Sequence, residues 1–77
     1  MDVRERLRRK KIKDLEAQER DLLAKRRVLE QRKRSLAVHG ITSATDRRIV
    51  EVTRALLTNA NALANVRIEL HQAKRLA

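Results

Sequence analysis

Leu36-Ala37-Val38-His39-Gly40-Ile41-Thr42-Ser43-Ala44-Thr45-Asp46 is the stretch at which the chain must turn. Gly40 is the only glycine among 77 residues, and proline is absent. On both sides the sequence is rich in Ala, Leu, Arg, Lys, Glu and Gln, the strongest helix formers. Gly40 can take the left-handed C′ position without steric cost. The spacing therefore predicts a Schellman stop there, with Ile41 at C″ against Leu36 at C3. Ser43 and Asp46 stand at capping-box spacing for a second helix. The expected boundaries are a helix over residues 3–39, a turn over 40–43 and a helix over 44–77, in one domain.

Outward from the turn, both arms carry a seven-residue repeat. In the second arm Ile49, Leu56, Leu63, Leu70 and Ala77 occupy heptad position a, and Val52, Asn59, Val66 and Ala73 occupy d. In the first arm Leu15, Leu22, Leu29 and Leu36 fall at d, opposite the mostly charged a positions Ile12, Glu19, Arg26 and Lys33. Two similar helices joined by so short a turn make an antiparallel, all-α helical hairpin with a coiled-coil seam. Pairing positions whose numbers sum to about 85 gives every leucine an apolar partner. Leu36 then meets Ile49, Leu29 meets Leu56, Leu22 meets Leu63 and Leu15 meets Leu70. Arg26 and Asn59 fall in one layer, and a buried polar layer of that kind fixes register at a cost in stability.

The second arm has more apolar surface than the first can cover. Its b row runs Val50, Leu57, Ala64 and His71, Ala60 lies at e, and residues 55–66 carry no charge. Leu23 of the first arm is similarly left over. A helix apolar on two stripes is usually buried on two sides. The expectation is a homodimer through Leu23, Val50, Leu57, Ala60 and Ala64, completing a four-helix bundle. A chain of this size gains most from such association.

Charge is the other strong signal. There are 20 basic residues against 10 acidic ones, a net charge of +10. The b row of the first arm is Arg6, Lys13, Arg20, Arg27 and Arg34, a one-signed file with a cation about every 10 Å. Arg9 and Lys10 thicken it near the N-terminus, and Asp14, Glu16, Asp21 and Glu30 lie beside the file rather than in it. A solvated face that keeps a bundle soluble is the bland account of such a row. Regularly spaced cations on a rigid rod also suit a phosphate lattice, since each neutralised phosphate releases counterions. The expected nucleic-acid-binding residues are thus Arg6, Arg9, Lys10, Lys13, Arg20, Arg27 and Arg34.

The chain has no Phe, Tyr or Trp, so base-stacking platforms for single strands are excluded. The basic run followed by four spaced leucines superficially resembles a basic-region leucine zipper. However, residues 3–13 hold no Asn for reading bases, and Gly40 ends the repeat. What remains is recognition of a duplex by shape and backbone, the usual mode for double-stranded RNA. Rop, the plasmid copy-control protein, and the nodavirus suppressors of RNA silencing are similar in architecture. By that analogy of architecture alone, duplex-RNA binding is the expectation, with a role as a silencing suppressor as one form of it. The competing expectation is a structural or adaptor coiled coil that takes a partner helix on its apolar row.

Other chemistry is poorly supplied. No Cys is present, and His39 and His71 are too few to gather a metal. The Ser and Thr hydroxyls lack a paired base, so an enzyme is not expected, nor a small-molecule substrate or cofactor. No apolar run is long enough to span a membrane, and the first arm's thin stripe suits membrane binding poorly. A cytoplasmic protein is the expectation.

Overall fold

A computed structural model describes residues 2–75. The chain forms two helices, α1 over Val3–Val38 and α2 over Arg47–Arg75, packed lengthwise on each other as an antiparallel hairpin. At about 1.5 Å per residue, the 36 residues of α1 should span about 54 Å, close to the 58 Å long axis of the molecule. Among the described residues there is no strand.

Asp2 opens α1 by accepting a hydrogen bond from the Arg4 N–H at 3.2 Å. Its other end is the Schellman stop expected from the sequence. The Gly40 N–H donates to the Ala37 carbonyl and the Ile41 N–H to the Leu36 carbonyl, both at 2.9 Å. Gly40 has φ of 79°, and Leu36 and Ile41 are both half-buried. The His39 ring adds a further cap, donating from Nδ1 to the Ser35 carbonyl at 2.8 Å.

The start of α2 differs from expectation: it begins at Arg47 rather than at residue 44. Residues 43–46 close a turn of their own. The Ser43 hydroxyl accepts from the Thr45 N–H, and the Ser43 carbonyl accepts from the Asp46 N–H. A Ser side chain competes with helix in this way whenever it can bond the backbone two residues on. Asp46 is then the cap, its carboxylate taking the Arg48 N–H at 2.9 Å. The first helix likewise ends at Val38, with His39 as its capping residue. The expected end of the second helix at residue 77, and the seam position of Ala77, lie outside the described residues.

The core follows the predicted seam. Val52, Asn59, Leu63, Val66, Leu70 and Ala73 are the buried residues of α2, all at a or d, and Leu15 is the buried residue of α1. Leu15, Val66, Leu70 and Ala73 form one cluster, with Ile12 and Leu22 packed against it. That grouping agrees with the register in which Leu15 meets Leu70 and Ile12 meets Ala73. An interhelical ion pair agrees too: Arg67 Nε donates to Glu19 Oε2 at 3.0 Å, one residue past Val66, the expected layer partner of Glu19.

The polar layer is arranged differently from a pairing of its two side chains. Asn59 is 3% exposed and donates from Nδ2 to the backbone carbonyl of Leu22 at 2.9 Å, while its Oδ1 is buried without a partner. Arg26 turns along its own helix to Glu30, 3.6 Å away. The long Arg stem lets its charge reach the edge of the seam, where water is available. The shorter Asn remains inside and takes the nearest carbonyl.

Candidate nucleic-acid interface

The antiparallel arrangement fixes which rows share a face. Around a helix the heptad positions run a, e, b, f, c, g, d, and in an antiparallel pair e flanks e while g flanks g. Two surface depressions show the same division. One is lined by Glu30, Lys33, Arg34, Ala37 and Leu56, on the e and b side of α1. The other is lined by Leu7, Arg8, Lys11, Glu69, Gln72 and Ala73, where the c and g rows of both helices come together. The b row of α1 and the b row of α2 therefore lie on one broad side of the hairpin.

That side carries the cation file. Arg6, Lys13, Arg20, Arg27 and Arg34 are all exposed, and none makes an ion pair among the described residues. From the first to the fifth the file runs about 42 Å at 1.5 Å per residue. At about 3.4 Å per step along one strand of B-form DNA, that matches roughly 12 base pairs. The carboxylates nearby are largely occupied. Glu5 holds Arg9, Glu30 holds Arg26, and Glu19 holds Arg67. Glu16 is the one helical carboxylate of this side outside those pairs among the described residues. Lys74, an exposed e position of α2, adds a further cation that the sequence reading did not include.

Two expected members of the interface stand apart from the file. Arg9 is ion-paired, its Nη2 lying 2.8 Å from Glu5 Oε1. Lys10, at f, is exposed on the outer edge of α1. The opposite face is less one-signed. Its g-row cations Lys11, Lys25 and Arg32 sit beside Asp14 and Asp21 of α1 and Glu51 and Glu69 of α2. The b-row face is thus the more positive of the two.

The residues expected to bury a second copy lie on this same side. Leu23 and Val50 are half-buried, Leu57 is 63% exposed, and Ala60 and Ala64 are exposed. The sequence treats the cations as an outer rim. Folding the hairpin sets them beside the uncovered apolar row instead. Asn61 and Asn65 face solvent, and His71 is exposed at the end of that row.

Charge at the turn is tied up locally. Arg48 binds Asp46 through both guanidinium Nε and Nη2, at 3.2 and 3.1 Å. These side-chain bonds, with the Arg48 backbone N–H next, hold the Asp46 carboxyl below its usual range, and Arg48 is raised in return. Among the described residues no group of three His, Cys, Asp or Glu side chains gathers as a metal site. No helix there is long and apolar enough to cross a membrane. No protein-family model matches the chain, and no curated protein or solved structure matches it.

Proposed function

We propose that this hairpin is a non-catalytic binder of double-stranded nucleic acid that grips the phosphate backbone without reading sequence. The observation that supports it is the unpaired file of Arg6, Lys13, Arg20, Arg27 and Arg34, all exposed on one face. A file held merely for solubility has no reason to keep its carboxylates bound elsewhere. Here Glu5, Glu19 and Glu30 are engaged by Arg9, Arg67 and Arg26, leaving the b-row guanidinium and ammonium groups free for an external anion. Two antiparallel helices locked by a seam form a stiff support, so the spacing of the cations is set before binding. Pre-set geometry lowers the ordering cost of association.

Duplex is favoured over single strands. The chain offers no aromatic ring for base stacking, and its cations are presented along a straight rod rather than in a cleft. Double-stranded RNA is the preferred ligand, because protein recognition of that duplex is chiefly by shape, phosphate and 2′-hydroxyl. Gel-shift titrations with duplex RNA, duplex DNA and the separated strands, each at two salt concentrations, test the proposal. Duplexes should bind and single strands should bind much more weakly, with affinity falling steeply as salt rises. Equal binding of single strands, or no salt dependence, would count against it.

A further inference from the structure

The face that holds the cation file also holds apolar side chains that phosphate cannot use. Leu57 is 63% exposed in the middle of the uncharged stretch of α2, flanked at helical spacing by Val50, Ala60 and Ala64, with Leu23 across the groove. Near the turn this side opens into a depression between Arg34 and Lys33 and the apolar Ala37 and Leu56. An apolar strip running beside a row of unpaired cations is a two-part surface. One part asks for hydrocarbon and the other for negative charge.

A second copy of the chain supplies the first part but not the second. Packing two such faces brings cations of like sign toward each other or sets them on apolar rows, in a pair carrying +10 per chain. A duplex supplies the charge and leaves Leu57 wet. We propose that this face receives an amphipathic helix from a partner protein, with an apolar stripe seated on Leu23, Val50, Leu57, Ala60 and Ala64. Carboxylates along one flank of that helix meet Arg6, Lys13, Arg20, Arg27 and Arg34. The result is a three-helix bundle, the helix-in-groove mode of recognition. This inference stands apart from duplex binding, but it draws on the same cations. The acidic helix and the duplex therefore exclude each other, and the partner acts as a competitive release factor for bound nucleic acid.

The test uses the full chain and synthetic, fluorescein-labelled 28-residue peptides. One carries Leu and Ala at a and d with Glu along one flank. A second has the same composition in an order that breaks the stripe, and a third replaces Glu by Lys. Anisotropy should show the first peptide binding at 1:1, at least tenfold tighter than the scrambled one, with no binding of the Lys peptide. Leu57→Gln should weaken the first peptide about tenfold and leave duplex affinity unchanged. Arg20→Gln with Arg27→Gln should weaken both ligands. Because these side chains are exposed, the far-ultraviolet circular dichroism of each variant should match the parent chain. Unlabelled 20-base-pair duplex should displace the peptide.

Equal binding of the ordered and scrambled peptides would overturn the inference, as would indifference to Leu57→Gln. Sedimentation of the free chain as a dimer that Leu57→Gln dissociates would show that a second copy covers the face. Leu57-dependent binding to vesicles of phosphatidylcholine and phosphatidylserine, without peptide binding, would assign it to a membrane surface. Simultaneous binding of duplex and peptide would refute their competition. Failure of duplex binding alone would leave the peptide results standing, so the two readings fail separately.

Discussion

Replacing Lys13, Arg20 and Arg27 by Gln removes three of the five cations in the b-row file. For a B-form duplex, the logarithm of the binding constant falls with the logarithm of salt at a slope of about −0.9 per phosphate neutralised. Five contacts give a slope of about −4.5, and the two that survive the substitutions give about −1.8. Between 50 and 200 mM salt, a fourfold change, the parent chain should lose roughly 500-fold in affinity and the variant roughly 12-fold. Cations outside the file, such as Lys10 and Lys74, steepen both slopes alike. The difference of about 2.7 between the two is therefore the quantity to measure. All three residues are exposed and unpaired, and Gln is a good helix former, so the fold should be unchanged within about 0.5 kcal/mol. Salt-series anisotropy with a 20-base-pair DNA duplex, on samples of equal helicity, makes the comparison. An unchanged slope in a variant that still binds would place the phosphate contacts elsewhere and refute the proposed file.

Four further outcomes follow from the packing. Leu15→Ala empties the buried centre of the α1 side and should cost about 2–5 kcal/mol in urea unfolding, whereas Leu57→Gln should cost almost nothing. Asn59→Leu removes a buried, unpartnered carbonyl oxygen together with the Nδ2 bond to the Leu22 carbonyl, and the two effects should leave a net gain of no more than about 1 kcal/mol. It should also loosen the register, which broadened amide resonances of α1 would reveal. Gly40→Ala places a Cβ in open space but in the left-handed region, so the cost is conformational alone, about 1–2 kcal/mol by thermal melting. Asp46 is held below its usual carboxylate range. Its stabilising effect is thus complete above the ordinary value of 3.8 and is lost as pH falls through the lower folded value. Asp46→Asn should keep the helix cap and flatten that acid limb of the melting curve.

Most of the backbone was legible because few alternatives existed. With one glycine and no proline, Gly40 was the single place where two helices could part. The register was legible because, of the seven-residue alignments that pair the leucines of one arm with the apolar a row of the other, only the one that sets Leu36 on Ile49 suits so short a turn at Gly40. The α2 start lies three residues beyond its expected place because Ser43 and Asp46 each offer a side-chain acceptor. Only the folded turn shows that Ser43 serves the turn and Asp46 the helix. The route of Arg26 to Glu30 was likewise hidden, since a flexible stem can leave the seam to which its heptad position assigns it. The site was half legible. The one-signed b row could be read from spacing alone. That it shares a face with Leu57 follows only when the two heptad wheels are joined antiparallel, e against e. The same step would have added Arg67 and Lys74 to that face.

Backbone amide shifts of isotope-labelled protein, followed while a 20-base-pair duplex RNA is added, test the proposed grip most directly. Shifts centred on Arg6, Lys13, Arg20, Arg27 and Arg34, with smaller ones at Ala60, Ala64 and Arg67 across the same face, are the predicted result. Shifts that gather instead on Lys11, Lys25, Arg32 and the c row of α2 at Thr58 and Asn65, or that spread evenly around both helices, would contradict it.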